Sequence, residues 1–345
     1  MVAGVDTVAV NGPRVLAMLG EFTQGSSVTF TRLTGPFAKL RNAGYPVAWM
    51  PYDMIRAKAA RREGMSTYDV YILARAVNHD GRIVDMIKRL QAAGKKVIWE
   101  TDDDYTNEFR QVTDGDPQAV VQECDAITVS TPYLREQTLK HTPGLPAYLL
   151  VNTIDFGFWS KVTKSKRVIP GPAIGLVGTK THYEDWKQLG DSLHRIAAEY
   201  PQAQFVLGGL HPDYLMDLPN LHCLQPCEYI NYPDMIAQFD IGLAPLDPDD
   251  NFNKSKSAIK ALEYWAAGNC VVASKCSVYD AVMDPQRGFS ASNPDEWYQA
   301  IKAYLDDFDM AQEKAKNGIE WTWRNRNMDT RFPFWYNVYE EVFRR

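Results

Sequence analysis

The sequence predicts an α/β protein built from two Rossmann-like domains with parallel sheets. Short apolar runs alternate with segments of helical periodicity along the chain, and this alternation indicates parallel strands covered by helices on both faces. The alternation lapses once, in the polar and basic residues 155–172, and then resumes. A chain of 345 residues is long enough for two hydrophobic cores. Two such halves joined by one linker imply domains that face each other across a cleft.

The first half contains six short apolar runs that we interpret as strands. They lie at 14–19, 47–50, 71–74, 96–100, 126–130 and 148–151. Helical patterns separate several of them, at 31–43, 82–93, 118–124 and 132–140. Gly44 and Gly94 directly follow the first two helical patterns, where a glycine commonly ends a helix.

The second half repeats this organisation. Its predicted strands lie at 174–177, 204–207, 239–245 and 270–274. Its predicted helices lie at 183–199, 234–239, 255–267, 294–306 and 310–321. The final residues, 330–345, are rich in aromatic side chains, which predicts that this segment packs against another part of the protein.

Composition argues against several classes of protein. Five cysteines without a CxxC pair argue against a disulfide framework and a zinc site, and they predict reduced thiols in a cytoplasmic protein. No apolar stretch is long enough to span a membrane, and the N-terminus lacks a signal-peptide pattern. A net charge of −6 gives no indication of a dedicated nucleic-acid binder. The excess of acidic residues lies after residue 168, so the slightly basic first half permits an anionic acceptor without requiring one.

Residues 239–274 form the most informative stretch, which we interpret as strand, loop, helix and strand. Ser255 stands where a helix N-cap is expected, and Gly268 where a glycine ends a helix. The predicted helix between them is mostly apolar or small. Charged residues on such a buried helix require a reason, because an unpaired buried charge is costly.

Lys256, Lys260 and Glu263 are spaced i, i+4 and i+7, so they would share one face of this helix. A helix N-terminus offers free N–H groups and the positive end of the helix dipole, which suits a phosphate. Lys256 adds a full positive charge there, and Glu263 can accept hydrogen bonds from ribose hydroxyls. These features describe a nucleotide-diphosphate site. The same spacing fits a half-exposed helix on which Lys260 and Glu263 form an ordinary ion pair.

Residues that directly follow strands are further candidates, because ligands of open α/β sheets lie at the carboxyl ends of the strands. In the second half these are Gly178, Thr179, His182 and Gly208. Gly178 would let a phosphate approach the backbone and Thr179 adds a hydroxyl, although a tight turn also explains both. His182 fits either a donor ligand or a residue beside a helix N-terminus.

The corresponding candidates in the first half are Ser26, Arg32, Arg75, His79, Asp102, Asp103 and Asp104. His79 lies in a predicted loop, where it is either an acid/base group or a solvated histidine. Three consecutive aspartates repel one another and need partners. They therefore bind a divalent metal, recognise acceptor hydroxyls, or pair with Arg32 or Arg75.

Several segments together carry a family resemblance. They are IWETDDDY (98–105), TVSTPYLREQ (128–137), LLVNTIDFGFW (149–159), IGLVGTKTHYEDW (174–186) and the long segment 239–274, followed by Tyr279 and Gly288. The most specific is Lys-Ser-x-x-Lys-x-x-Glu-Tyr followed by Gly and Val-Val-Ala-Ser. With these segments the chain resembles glycosyltransferases of the GT-B fold, and among them the large retaining group numbered family 4.

The resemblance implies an acceptor-side domain at 1–165, a donor-binding domain at 166–325, and a C-terminal helix at 326–345 that crosses back onto the first domain. It also implies a nucleotide-diphosphate sugar as donor, of the UDP or GDP type, and transfer to an acceptor hydroxyl with retention and without a metal or other cofactor. A glycan or surface polysaccharide is the expected acceptor. Modified DNA bases are an alternative that the charge pattern does not favour.

The resemblance assigns roles to individual residues. Lys256 would contact the diphosphate and Glu263 the ribose. Many relatives carry another glutamate eight positions before the one that corresponds to Glu263, and this chain has Ser255 there. Asn253, Ser257 and Lys260 are the nearby residues that complete the donor set. Lys256, His79 and Asp103 are the catalytic candidates. The acceptor-side candidates are Ser26, Arg32, Arg75, Asp102 and Asp104.

Three rival functions fit the same sequence. A metal-dependent transferase would use Asp102–Asp104 as an Asp-x-Asp motif and lose activity in EDTA. A nucleotide-sugar 2-epimerase on the same scaffold would turn over the donor without an acceptor. A non-catalytic binding module, with Ser255 as the mark of lost chemistry, would bind a nucleotide without hydrolysis or transfer.

Overall fold

A computed structural model describes residues 11–20, 26–52, 67–76, 81–105, 116–160 and 167–345. Contacts divide the chain into two compact units. Unit 1 comprises Met1–Thr153 and Met328–Arg345, and unit 2 comprises Ile154–Asn327. Each unit holds a six-stranded sheet in which every strand pair is parallel. The predicted α/β class is therefore confirmed.

The sheet of unit 1 has the strand order β2-β1-β3-β4-β5-β6. Its strands are β1 Val15–Leu19, β2 Val47–Pro51, β3 Val70–Ala74, β4 Lys96–Thr101, β5 Ala126–Val129 and β6 Ala147–Leu149. β1 and β3 are buried along their whole length, as expected for parallel strands covered on both faces. All six strands coincide, within a few residues, with the apolar runs of the sequence.

The helices described in unit 1 before residue 154 lie between these strands. They are α1 Ser27–Thr29, α2 Gly35–Asn42, α3 Arg82–Ala92, α4 Pro117–Glu123 and α5 Pro132–His141. A π-helical turn, Phe30–Thr34, joins α1 to α2, so the chain is helical on both sides of Gly35. Helix α5 begins where its sequence predicts, because the Thr131 side chain accepts a hydrogen bond from the amide of Leu134.

The sheet of unit 2 has the strand order β12-β11-β10-β7-β8-β9. Its strands are β7 Ala173–Val177, β8 Gln204–Gly208, β9 Leu221–Leu224, β10 Ile241–Ala244, β11 Cys270–Ser274 and β12 Phe289–Ala291. The chain builds outward from β7 to β9 and then returns to the other side of β7 with β10. The strand order therefore reverses between β7 and β10, which is where α/β sheets bind their ligands. The sequence did not predict β9 and β12, which are short and partly exposed edge strands.

The helices of unit 2 cover both faces of this sheet. They are α6 Phe156–Trp159, α7 Ser192–Glu199, α8 Tyr232–Ile236, α9 Asn251–Ser255, α10 Ile259–Ala266, α11 Ser277–Asp280, α12 Pro294–Asp306 and α13 Phe308–Arg326. The continuous helix predicted at 183–199 is wrong. A 3-10 turn at Asp185–Leu189 precedes α7, and Gly190, with φ of 52°, separates the two because that conformation does not continue a right-handed helix.

The predicted first boundary differs from the division that the contacts make. The sequence prediction placed the linker at 155–172 and the end of the first domain at residue 165, because the composition is polar and basic there, whereas the contacts end unit 1 at Thr153. Ile154 pairs with Asn327 in an isolated bridge, and the ring of Phe156 packs against Trp323 at 4.9 Å. Aromatic packing thus assigns this segment to unit 2.

The C-terminal segment belongs to unit 1, as the predicted fold class requires. Helices α14 Met328–Arg331 and α15 Pro333–Arg344 complete that unit. The indole of Trp335 donates to the backbone oxygen of Arg32 at 2.9 Å, and the hydroxyl of Tyr336 donates to the backbone oxygen of Pro13 at 2.9 Å. The aromatic richness of the segment therefore reflects its burial on unit 1.

Neither unit offers, in the described part of the chain, a helix with the length and apolar character needed to cross a membrane.

Candidate functional site

The candidate site lies in unit 2, at the carboxyl ends of β7 and β10. The 3-10 turns that follow β7 carry His182 and Asp185, and the loop and short helix that follow β10 carry Asp247 and Asn253. Lys256 comes directly after helix α9. All of these residues come from segments next to the point where the strand order reverses.

Asp185 is the centre of this cluster, and its side chain is only 3% exposed. One carboxylate oxygen accepts from the Asn253 amide at 2.5 Å and from the backbone N–H of Asp247 at 2.9 Å. The other lies 2.8 Å from His182 Nδ1 and accepts from Lys256 Nζ at 3.4 Å. Burial alone would raise the pKa of Asp185, but the hydrogen bond with His182 and the charge of Lys256 lower it to about 2. Asp185 is therefore an anion that holds Lys256 in place.

His182 is uncharged at neutral pH. Burial, together with the nearby positive charges of Lys260 and Lys256, lowers its pKa to about 4. Its Nδ1 then carries the proton and donates a hydrogen bond to the Asp185 carboxylate. Lys256, whose side chain is 15% exposed, is therefore the cation that this cluster presents to solvent.

The single helix predicted at 255–267 is wrong at its N-terminal end. Helix α9 ends at Ser255, Lys256 has extended backbone angles (φ −61°, ψ 156°), and α10 begins only at Ile259. Lys256, Lys260 and Glu263 therefore do not form one helical stripe, and only the last two lie on α10. The C-terminal end is confirmed, because Gly268 has φ of 82° and ends the helix in the left-handed conformation.

Ser255 does not cap the helix, contrary to its predicted place. Its side chain is fully buried and its hydroxyl donates to the backbone oxygen of Phe252 at 2.6 Å. Before the break, Asp250 caps a separate helical turn, accepting from the Phe252 amide at 2.8 Å. Ala258 occupies the N-cap position of α10 and makes no side-chain cap. The first N–H groups of α10 are thus left for a ligand or for water.

Glu263 is buried on α10, 3% exposed. Its carboxylate accepts from the hydroxyl of Tyr229 at 3.4 Å and is hydrogen-bonded to Tyr232. Burial raises its pKa, and the positive charge of Lys260 opposes this rise. Burial also disfavours the charged form of Lys260, and it therefore lowers the pKa of that lysine. Burial thus disfavours the charged form of Glu263, and two tyrosines and one lysine inside unit 2 oppose this effect.

Close packing explains why glycine stands at the predicted positions Gly178 and Gly208. The amide of Gly178 donates to the backbone oxygen of Gly208 at 3.0 Å, which joins the ends of β7 and β8. A Cβ at Gly178 would lie 3.0 Å from the Trp186 ring, and one at Gly208 would lie 2.7 Å from the sulfur of Met235. Thr179 is exposed, and Ser257 is half-buried in the segment before α10. Donor binding by these four predicted residues stays a prediction.

In unit 1, Arg32 and Glu100 form a buried ion pair. Arg32 Nε lies 2.6 Å from Glu100 Oε1 and Arg32 Nη2 lies 3.1 Å from Glu100 Oε2, with the residues 1% and 2% exposed. Arg32 also donates to Asn152 Oδ1 at 3.0 Å and to the backbone oxygen of Leu150. Thr128 donates to Glu100. Arg32 thus pairs with Glu100 and not with the three aspartates.

The three aspartates after β4 have different environments. Asp103 pairs with Arg75 at 2.5 Å, which is one of the pairings the sequence suggested. Asp104 is 1% exposed. Oδ1 of Asp102 is buried and has no hydrogen-bond partner among the described residues. Burial, together with the charge of Asp103, raises the pKa of Asp102 to about 7.

Two further acceptor-side predictions have plain outcomes. Ser26 caps α1, since its hydroxyl accepts from the amide of Thr29 at 3.2 Å. His79 lies outside the described residues. Across the described ranges, no three His, Cys, Asp or Glu side chains converge as a metal-ligand set.

Sequence reasoning missed Asp185 and Glu100, the acidic partners of the predicted Lys256 and Arg32. The only local signal for Asp185 was its place three residues after His182, in a segment that follows a strand. Glu100 stood in the apolar run of β4, where a buried carboxylate itself indicates a partner.

Comparisons with known proteins agree with this architecture. Residues 171–307 match the family model described as Glycosyl transferases group 1, which spans the whole cluster around Asp185. No curated protein sequence matches the chain. At the level of structure, the chain is similar to sucrose-phosphate synthase from Thermosynechococcus elongatus, with a TM-score of 0.68, 13% identity, and coverage of 95% of this chain and 98% of that one.

Two further solved structures are similar over nearly their whole length. Anabaena Alr3699/HepE in complex with UDP and glucose has a TM-score of 0.66 and 12% identity, covering 95% of this chain and 100% of that one. An α-glucosyltransferase in complex with UDP and a 13-mer DNA containing a HMU base has a TM-score of 0.70 and 12% identity, covering 97% and 100%. Such identities establish the fold alone. They show that the chain has the GT-B fold, and the family model assigns residues 171–307 to the glycosyl transferases of group 1.

Proposed function

We propose that this enzyme transfers a hexosyl or pentosyl group from a nucleotide-diphosphate sugar, of the UDP or GDP type, to a hydroxyl group of a glycan or surface polysaccharide. The observation that carries the proposal is the position of Lys256. Asp185 holds this lysine at the carboxyl edge of the unit 2 sheet, directly before the uncapped start of α10. HepE, which has a similar fold, is complexed with UDP-glucose in one solved structure.

The chemistry follows from the charge that develops on the leaving group. The bond between the anomeric carbon and the diphosphate oxygen breaks through an oxocarbenium-like state, and the acceptor oxygen forms the new bond to the same carbon. Lys256 and the N–H groups at the start of α10 stabilise the departing diphosphate, and such preorganised electrostatics are usually the largest contribution to catalysis.

Retention and independence from metal belong to the same proposal. If the acceptor attacks from the face that the diphosphate leaves, the leaving phosphate oxygen takes the acceptor proton, and no protein nucleophile is needed. The positive charge of Lys256 and the helix dipole supply the neutralisation that a divalent cation would otherwise provide.

Glu263 completes the donor site in this proposal by accepting hydrogen bonds from the ribose hydroxyls. Tyr229 and Tyr232 hold its carboxylate. A carboxylate can accept more hydrogen bonds than the two that these tyrosine hydroxyls donate. The vicinal hydroxyls of the ribose can therefore donate to the same carboxylate.

We place the activity in the cytoplasm because all five cysteines are free thiols. Cys223 and Cys227 are exposed and unbridged, as expected where thiols are kept reduced.

A thermal-shift screen with UDP, GDP, ADP, CMP and dTDP and their common sugars, with and without EDTA, tests the donor site. A ligand at about a hundred times its Kd stabilises by about 2.7 kcal/mol, which is readily measured. We expect a selective, EDTA-insensitive shift. An absence of any nucleotide effect would contradict the proposal and favour a different class of protein.

Lys256→Ala tests the catalytic assignment. We expect kcat to fall on the order of a hundredfold, because a donor to the developing charge is lost. Lys316→Ala is the matched control, since Lys316 is an exposed lysine on α13 of the same unit. Turnover near wild type in Lys256→Ala would end the assignment.

Product analysis separates the remaining alternatives. Proton NMR of the product should show that the anomeric configuration of the donor is kept. Donor turnover without an acceptor and with epimer formation would indicate an epimerase. Nucleotide binding with neither hydrolysis nor transfer would indicate a binding module.

A second candidate acceptor is a hydroxylated DNA base. It is favoured by one observation, the similarity to the α-glucosyltransferase complexed with DNA containing a HMU base, at a TM-score of 0.70. Transfer of a labelled sugar to hydroxymethylated oligonucleotides, and not to oligosaccharides, would select it.

A further inference from the structure

Lys260 occupies an unfavourable position for a positive charge. It lies half-buried in the first turn of α10, and within the described part of the chain its ammonium group forms no hydrogen bond and no ion pair. The nearby carboxylate of Asp185 is shared by four other donors, among them Lys256. Lys260 is therefore held beside a carboxylate that other groups already use.

Three features of this position disfavour the charged form of Lys260. Burial takes the ammonium group out of water, and the positive charge of Lys256 repels it, so both lower its pKa. The first turn of a helix is also the positive end of the helix dipole. The negative charges of Glu263 and Asp185 oppose these effects only in part, because the pKa remains lowered. A lysine in such a place is stabilised by an additional anion.

Glu263, one turn further along α10, is in the opposite condition. Burial raises its pKa, while the charge of Lys260 and hydrogen bonds from Tyr232 and Tyr229 oppose the rise. The two pKa shifts converge, since that of the glutamate rises from 4.5 and that of the lysine falls from 10.5. The pH interval in which Lys260 is protonated and Glu263 is ionised is therefore narrower than for the same residues in water. Protons leave the two groups as a coupled pair.

The other ionisable groups around this pair keep one charge state throughout that interval. Asp185 is an anion, because its pKa is lowered to about 2, and His182 is uncharged, because its pKa is lowered to about 4. Burial raises the pKa of the tyrosines whose phenols lie near Glu263, and these phenols stay uncharged; they are Tyr232, Tyr264 and Tyr279. Among these groups, Lys260 and Glu263 are thus the ones that change charge.

We propose that Lys260 and Glu263 form a proton-linked switch, so that the enzyme binds its nucleotide sugar tightly only when Lys260 is protonated and Glu263 is ionised. The proposal rests on the proposed function and adds a pH dependence to its donor site. The diphosphate supplies an anion for Lys260, and the ribose hydroxyls donate to the ionised Glu263. Binding therefore releases a proton from Glu263 to the buffer at low pH and takes one up from the buffer onto Lys260 at high pH.

Calorimetric titration of the wild-type protein with UDP-glucose, or with GDP-mannose where the thermal-shift screen selects guanine, tests this switch. The pH is varied between the ordinary pKa values of glutamate and lysine, over which the diphosphate of the probe does not titrate. We expect the Kd to pass through a minimum and to rise at least about tenfold on each side, as the loss of a hydrogen bond to a charged group predicts. Titrations in buffers of different ionisation enthalpy should show proton release on the acid side and proton uptake on the alkaline side.

Single substitutions separate the two sides of this pH profile. Lys260→Met should abolish the alkaline rise in Kd together with its proton uptake, and Glu263→Gln should abolish the acid rise together with its proton release. Lys256→Met should move the alkaline rise to higher pH, because it removes a positive charge that lowers the pKa of Lys260. Lys316→Met, at an exposed lysine of unit 2, is the matched control and should keep the wild-type profile. Ionisation of the nucleobase would occur equally in all of these proteins.

A Kd that does not depend on pH would overturn the inference while leaving the proposed function intact. The same holds if Lys260→Met and Glu263→Gln weaken binding but keep the wild-type profile, which is the result that a merely structural role predicts. Absence of binding by every nucleotide of the screen, at every pH, would instead overturn the proposed function and the switch together.

Discussion

Replacement of Asp185 by Asn tests the centre of the unit 2 site most directly. The carboxylate faces four donors, from His182, Asp247, Asn253 and Lys256. An amide offers one acceptor oxygen and places an NH₂ group against the remaining donors. The substitution therefore removes a charge interaction and leaves buried donors without an acceptor.

The pKa of Asp185 indicates the size of the effect. It falls from the ordinary value of 3.8 to about 2 in the folded protein. At 1.36 kcal/mol per pKa unit, this difference corresponds to about 2 kcal/mol of folding free energy at neutral pH. Unsatisfied donors add about 1–3 kcal/mol to the loss. Asp185→Asn should thus lower the free energy of unfolding by about 3–5 kcal/mol.

Urea denaturation of wild type and Asp185→Asn at neutral pH measures this difference. Because folding lowers the pKa of the carboxyl, the contribution of its charge is complete above pH 3.8 and is lost as the pH falls towards 2. The difference between the two proteins should shrink over that interval. Asp213→Asn, at an exposed aspartate of unit 2, is the control. A difference below about 0.5 kcal/mol at neutral pH, the scale of surface substitutions, would refute the reasoning.

Three further predictions concern other parts of the chain. Glu100→Gln should destabilise the protein by about 3–5 kcal/mol in urea denaturation, because it leaves the buried Arg32 unpaired; a loss below 1 kcal/mol would contradict the pair's importance. Gly318→Ala should lower the unfolding temperature, with a cost of about 1–3 kcal/mol, since a Cβ would overlap the buried Trp265 ring; an unchanged temperature would contradict that packing. Glu263→Gln should weaken nucleotide binding in calorimetry by about tenfold or more, whereas an unchanged Kd would exclude the ribose role.

The break at Lys256 shows where local sequence signals mislead. The segment from Ser255 to Gly268 has the composition of one helix, and both end signals are present. In the structure, Asp250 starts a separate turn and Lys256 leaves the helical conformation to reach the carboxylate of Asp185. A contact between residues distant in the sequence thus overrides helix propensity, as tertiary context commonly does.

The sequence by itself determined most of the elements and their order. Strand β11 and helix α12 occupy the predicted bounds, because apolar period and capping residues act within a few positions of the chain. Only the tertiary structure decided which charges pair, since Asp185 meets Lys256 and Glu100 meets Arg32 across long separations in the chain. Local periodicity encodes a helix or strand, whereas a buried charge takes its partner from whichever segment the fold brings within hydrogen-bond distance.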